Sequence, residues 1–284
     1  MRTTKKGKFF LYLILTLGAL LILFPMYITI TTTFKTPAES AVSFFTLPKS
    51  LYLGNYATVL QDEKLYYAYG NTILITVVSL LGEMLILPPM GFALSRGMKQ
   101  NRFFKGLYFF FLLNGERHEN HVLQSDLAQL DHHLEMMGWL GLLSPLGITL
   151  LYVAHATCES MFLYVGYLAT VSDSIEEAAY IDGASTFQVY TRVILPLMTP
   201  ILSTVLIREG LAIWNDFQMP LITLNRSSKL WTLTIYLNNF QSELSVDYNL
   251  SFACLMLTCL PIVIFYIIMQ KQIMGGLTSG AVKG

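Results

Sequence analysis

A chain of 284 residues that is 54% hydrophobic and only 13% charged has far too little charge for a water-soluble globule, in which about 25% of residues are charged. Its 18 basic and 18 acidic residues cancel, so no basic face points to nucleic acid. The composition is that of an all-α polytopic membrane protein, organised as one transmembrane domain over residues 1–284. Cys158, Cys254 and Cys259 all fall inside apolar runs, where they serve as small packing residues rather than disulfide or metal partners. The sequence has no GxxxxGK[ST] phosphate loop, no Gly-x-Ser-x-Gly elbow and no paired-histidine zinc helix. Nothing in it supports an enzyme or a cofactor, and no resident metal is expected.

Taken in order, Arg2, Lys5, Lys6 and Lys8 precede an apolar run from about Phe9 to Thr33. A secretory signal has an apolar region of roughly 7 to 15 residues and a small-residue cleavage site. The run is therefore expected to be an uncleaved first span, kinked at Pro25, with its basic end in the cytoplasm. Lys35 to Tyr69, with Pro37, Pro48 and Asn55 as turn formers, is expected to be an external loop. A second span follows from about Asn71 to Leu94, interrupted by Pro88-Pro89 and carrying Glu83. An acid in a span costs about 2.5 to 3.5 kcal/mol on insertion scales, so Glu83 either has a function or faces a polar bundle interior. Arg96, Lys99, Arg102 and Lys105 place the next loop in the cytoplasm.

Phe103 to Leu113 opens a third span, and the apolar pattern then stops. Between Asn114 and Met137 stand Glu116, Arg117, His118, Glu119, His121, Asp126, Asp131, His132, His133 and Glu135. The residues leave two readings of this atypical polar segment, 114–137. It can be a metal site built on His118-x-x-His121 and Asp131-His132-His133, or a soluble excursion on one membrane face. Eleven apolar-leaning residues are short of the roughly 20 a span needs. Leu123, Leu127, Leu130 and Leu134 supply an amphipathic face with which the crossing can be completed.

A fourth span is expected over Leu146 to Leu168. Its His155 and Glu159, four apart, share a helix face as a proton relay or as a satisfied buried pair. The segment from about 172 to 196 is mixed in polarity. Ser174 and Glu177 have capping-box spacing, so a short helix is expected to start near Ile175 with Glu176 and Glu177 in its first turn. Gly183 ends or bends it. Phe187, Tyr190 and Ile194 then give a second helical period that runs to Pro196. This is a helix–turn–helix knob at the membrane surface. Ala178, Ala179 and Ala184 allow another backbone to come close, and Phe187 and Tyr190 serve as anchors; an ordinary connector between spans is the plainer reading. The fifth span, Leu195 to Trp214, contains Arg208 and Glu209, which point about 100° apart and do not form a clean pair. Phe217 to Tyr248 is a second external segment, and a sixth span runs from about Asn249 to Met269, kinked at Pro261. Gly275-Gly276 and Gly280 make a turning tail.

The pattern Glu177-Ala178-Ala179, Gly183 and Leu195-Pro196 resembles the EAA motif of ABC importer permeases, with Val193 where that family usually has Ile. The tail Gly276 to Gly284 and Trp214-Asn215-Asp216-Phe217 with Pro220-Leu221 resemble the carbohydrate-uptake permeases related to the maltose permease subunit MalG. Relatives of that type have an apolar helix at 114–137, and their pattern resumes at Met137-Gly138-Trp139-Leu140, so the resemblance implies a third reading of the segment, as out-of-frame translation or a local replacement. The resemblance implies about six transmembrane helices and a cytoplasmic coupling loop, with both termini cytoplasmic in a bacterial-type inner membrane. It also implies four partners: a second homologous permease, an ATP-binding-cassette ATPase dimer, an external solute-binding protein and a sugar or polyol substrate. Glu176, Glu177, Ala178, Ala179, Asp182, Gly183, Ala184 and Phe187 would form the ATPase-coupling surface. Trp214, Asn215 and Asp216 would form an external gate or binding-protein contact. A rival reading is a secondary transporter or channel with Glu83, His155, Glu159, Arg208 and Glu209 along an ion path.

Overall fold

The computed structural model describes residues 5–117, 143–243 and 247–281, and among them every regular element is a helix. In chain order these are α1 (Lys5–Thr33), α2 (Pro37–Val42), α3 (Gly54–Leu60), α4 (Glu63–Gln100), α5 (Arg102–Arg117) and α6 (Pro145–Leu168). There follow α7 (Asp173–Ile181), α8 (Thr186–Leu197), α9 (Thr199–Asn215), α10 (Gln218–Leu224), α11 (Leu233–Glu243) and α12 (Tyr248–Ala281). By length and composition four of them can cross a membrane, and five if α8 and α9, bent by 70° at Met198, count as one broken span.

Two compact units are formed. One comprises the described parts of Met1–Tyr66 and Tyr236–Pro261. Here α1, 29 residues and roughly 43 Å long, exposes Phe9, Leu21 and Ile22 together with most of its other large apolar side chains. Such a helix is stable only with hydrocarbon around it. Its last carbonyls have no intrahelical partner, and two buried asparagines satisfy them. Asn55 Nδ2 donates to the carbonyls of Thr33 (2.8 Å) and Lys35 (2.9 Å). Asn249 Nδ2 donates to those of Thr32 (3.0 Å) and Lys35 (2.8 Å). Asn55 is thus a helix-capping residue on α3 and not a turn former. The expected external loop is largely helical, because Thr36 and Glu39 form a reciprocal capping box with Pro37 in the first turn of α2.

The other unit comprises the described parts of Tyr67–Ile235 and Ile262–Gly284. Leu87, Phe92, Ala156, Tyr164, Leu168, Val189, Ile194, Met198 and Val205 make its main core, which joins α4, α6, α8 and α9. Pro88 and Pro89 lie inside α4 without ending it. Gly91 lets α4 pass α6 closely, since a Cβ there would come within 2.8 Å of Tyr164 Cβ. The expected third span begins as α5, whose Phe104, Leu107, Tyr108 and Phe111 pack on Leu94, Met161 and Val165. At 16 residues α5 is roughly 24 Å long. The rest of the atypical segment, with His118, His121, Asp131, His132 and His133, lies outside the described residues.

Other expectations are corrected. The segment after Phe217 contains the helices α10 and α11, and the glycines of the tail are helical as far as Ala281. The fifth span does not begin straight at Leu195. Pro196 and Pro200 each remove a backbone donor on either side of Met198, and the chain turns there before α9 starts.

Candidate functional site: the knob and the polar cluster behind it

The knob starts two residues earlier than its Ser174–Glu177 spacing implies. Ser172 is the N-cap of α7, which puts Asp173 and Glu176 in the first turn, while the Ser174 hydroxyl lies 2.7 Å from that of Ser172. At the other end Ala184 N–H donates to Ala179 O and Gly183 N–H to Tyr180 O, both at 3.0 Å, with Gly183 at φ +83°. That is a Schellman motif, and it needs a residue that tolerates positive φ. An added Cβ at Gly183 meets nothing within 4 Å. Gly183→Ala is therefore expected to cost only the left-handed strain of about 1 kcal/mol, read as a fall of a few degrees in the thermal midpoint with normal membrane insertion. Failure to accumulate folded protein would contradict this.

The second arm of the knob opens with a capping box between Ser185 and Gln188 and then widens to a π-helix over Val189–Ile194. The extra residue per turn rotates Tyr190 inward, so this expected anchor packs on Phe92 with centroids 5.4 Å apart and ring planes tilted by 37°. Glu177, Ala178, Asp182, Gly183 and Phe187 face outward, whereas Ala179 and Ala184 are half-buried against the core. Two large apolar side chains stand bare at the tip, Ile181 at 85% and Phe187 at 75% exposure. Ile181 carries no motif; its only signal is an apolar residue immediately before the Asp182-Gly183 turn.

Glu176 points the other way and is only 7% exposed. Both Nε (2.8 Å) and Nη2 of Arg96, in the last turns of α4, donate to its Oε1. Arg96 Nη1 also reaches Leu168 O at 3.4 Å, and the guanidinium carbon lies 5.9 Å from the Phe92 ring centroid. One turn further on, Lys99 Nζ donates to Asp173 Oδ1 at 2.6 Å, and this bond holds the Asp173 carboxyl below the usual carboxylate range. The contact is present above that range and is lost as pH falls through the depressed value. The cytoplasmic basic cluster expected from the sequence thus supplies the two cations that fasten the knob to α4.

Behind the knob, α4, α6 and α9 bring polar side chains together within the spans. Arg208 Nη2 donates to Glu159 Oε2. Arg208 Nη1 donates to Glu209 Oε1 (3.2 Å) and Ser160 Oγ (3.3 Å), and Ser160 Oγ donates to Glu209 Oε1 at 2.5 Å. His155 Nε2 lies 3.5 Å from Glu159 Oε1. Arg208 and Glu209 are therefore paired after all, because the long arginine side chain turns across the 100° that separates their Cβ atoms. Glu83 sits behind them, fully buried, and among the described residues neither of its oxygens has a hydrogen-bond partner. Leaving a charge there would cost several kcal/mol. Glu83→Gln is expected to raise the thermal midpoint, while Glu83→Lys prevents the folded protein from accumulating. A lowered midpoint in the glutamine variant would show that the carboxyl itself stabilises the fold.

Within the Trp214-Asn215-Asp216 group it is Asp216 that ties neighbouring helices together. Trp214 is half-buried and Asn215 exposed, the latter donating to Leu211 O at 2.8 Å. Asp216 accepts the Tyr152 hydroxyl at 2.8 Å and the Gln218 N–H at 2.9 Å, while its carbonyl accepts from Thr234 Oγ1 at 2.7 Å. It staples α6, α10 and α11 to the end of α9.

Known proteins resemble this chain over nearly its whole length. The family model for the inner membrane component of binding-protein-dependent transport systems matches residues 5–274. The multiple sugar-binding transport system permease protein MsmG of Streptococcus mutans is 36% identical over 280 residues, 98% of each chain. The probable starch degradation products transport system permease protein AmyC of Thermoanaerobacterium thermosulfurigenes is 32% identical, covering 96% of this chain and 97% of its own. A chain from the crystal structure of a bacterial ABC transporter involved in alginate import superposes with a TM-score of 0.79 at 22% identity, over 95% of this chain and 99% of that one. That likeness establishes the fold. With a family match over 5–274 and relatives aligned from end to end, the chain belongs to the binding-protein-dependent transport system inner membrane components, multi-pass proteins of the ABC importer permease type.

Proposed function

We propose that this chain is one of two permease subunits of an ATP-driven carbohydrate importer, with residues 172–197 as the surface that docks on the ATPase dimer. The observation that carries the docking assignment is the bare apolar tip, Ile181 and Phe187, on a knob whose root is fixed to α4 by Arg96–Glu176. The carbohydrate class comes from relatives that are named for sugar systems. The remaining partners are a second homologous permease and an external solute-binding protein that delivers the sugar. The chain is not itself an enzyme, and its basic N-terminal residues Arg2, Lys5, Lys6 and Lys8 put both termini in the cytoplasm when six spans are made.

The geometry then gives a route for the motion. Closure of the ATPases on ATP pushes α7 and the start of α8. Through Arg96 and Lys99 the displacement reaches the end of α4, and through the bend at Met198 it reaches α9. Both helices meet at the core that includes Leu87, Met198 and Val205, so the two spans move with the knob. The test is uptake of labelled sugar into proteoliposomes holding the assembled transporter and its binding protein. Uptake is expected to require internal or external ATP according to orientation and to survive collapse of the proton gradient. Uptake that ignores ATP and follows the proton gradient would instead establish the secondary-transporter reading.

A further inference from the structure

Beyond its first turn, the exposed residues of α9 are Thr204, Arg208, Ala212 and, at its end, Asn215. Their spacing of 4, 4 and 3 puts them on one helix face roughly 16 Å long. None of the exposed large hydrophobic residues lies between Thr199 and Asn215, whereas the lipid-type faces of α4 and α12 present Leu81, Leu85, Val263 and Ile267. The α9 face is therefore unlike a lipid-facing one. Arg208 stands roughly 10 to 14 Å from either end of the helix and its side chain is 42% exposed. A cation at that depth faces a bundle interior or a water-filled cavity, not hydrocarbon.

The chemistry of the face favours a polar solute over a permanent protein partner. Helix contacts in lipid are built from small residues in close approach, and a projecting guanidinium prevents that. Arg208 is held by Glu159 and Glu209, and its Nε–H has no partner among the described residues. The exposed Asn215 uses its amide nitrogen on Leu211 O, and its side-chain oxygen has no partner among the described residues. Preset donors and acceptors on a rigid, half-exposed strip are what alcohol groups can hydrogen-bond without displacing a packed core.

We propose that the α9 face bearing Thr204, Arg208, Ala212 and Asn215 lines the solute path, with Arg208 and Asn215 hydrogen-bonding the hydroxyls of a carbohydrate in transit. This rests on the carbohydrate-import reading above. Glu159 of α6 pairs with Arg208 through Oε2, and His155 Nε2 lies 3.5 Å from its other oxygen.

The experiment uses the assembled transporter with Cys158, Cys254 and Cys259 replaced by alanine and a single cysteine introduced as Ala212→Cys, with Leu85→Cys as the lipid-facing control. Uptake of raffinose, maltotriose and diacetylchitobiose is measured first, and an imported sugar is then used for protection. Ala212→Cys is expected to react with a charged thiol reagent at least tenfold faster than Leu85→Cys, and at least threefold more slowly with the sugar present. Arg208→Lys, which keeps a cation against Glu159, is expected to raise the uptake KM about tenfold with less change in maximal rate. Labelling at Ala212 no faster than at Leu85, labelling that an imported sugar leaves unchanged, or an unaltered KM in Arg208→Lys would each overturn the proposal. Import of none of the three sugars overturns the carbohydrate reading itself. A failure confined to labelling or KM in a transporter that does import one refutes this face alone.

Discussion

Arg96→Ala is expected to abolish solute uptake, by about 100-fold or more, while the transporter still inserts in the membrane. The alanine leaves Glu176 buried at the root of the knob without its cation, and breaking a buried pair from one side costs about 3 to 5 kcal/mol. It also removes the bond to Leu168 O and the contact over Phe92, so α7 loses its hold on α4 at the point where the proposed coupling would transmit force. Removing both partners tests this account. Arg96→Met with Glu176→Met deletes the unpaired charge and refills the space, and it is expected to recover thermal stability to within about 1 kcal/mol of wild type. It should recover uptake only in part, because an apolar contact lacks the directional hold of a bidentate donor on one carboxylate. The measurements are the thermal midpoint of the purified complex and ATP-driven uptake in proteoliposomes. Uptake within twofold of wild type in Arg96→Ala would mean that the pair carries no force.

What could be read from the sequence depended on whether its signal was local. The spans α1, α4 and α6 announce themselves because each is an apolar run of about 20 residues or more, and the knob does so because Glu177-Ala178-Ala179 and Gly183 sit within one short segment. The Arg96–Glu176 and Lys99–Asp173 contacts join residues 80 and 74 positions apart. The sequence offers both signs of charge but cannot say which cation meets which acid. The same holds for Asn55 and Asn249, whose amides cap a helix 20 and more than 200 residues earlier in the chain. Local signals also misled. Ser174 and Glu177 satisfy the capping-box spacing, yet Ser172 takes the cap. The tertiary core pulls Tyr190 inward through a π-turn that an i, i+3 pattern does not describe. Arg208 and Glu209 were expected to diverge because helix geometry fixes Cβ directions, but a side chain as long as arginine is not bound by them.

Phe187→Asp separates docking from folding more cleanly than any change at the root of the knob. The ring is 75% exposed and contributes little to this chain's own core, so the variant should keep wild-type stability within about 0.5 kcal/mol, as surface substitutions do. On a docked ATPase the situation reverses. Burying a phenylalanine contributes about 1.5 to 3 kcal/mol, and an aspartate in the same pocket adds the cost of a desolvated charge. At about 1.4 kcal/mol per factor of ten, the loss amounts to about 100-fold or more in affinity. The ATPase subunits are then expected to fall away during purification, with uptake lost in parallel. Phe187→Leu retains most of the apolar area and should co-purify with them and transport at a rate near wild type. Ile181→Asp, at the neighbouring bare position, should repeat the aspartate result if the two side chains enter one cleft. Normal co-purification and uptake by Phe187→Asp would remove the apolar tip from the docking surface and leave only the polar residues Glu177 and Asp182 to make the contact.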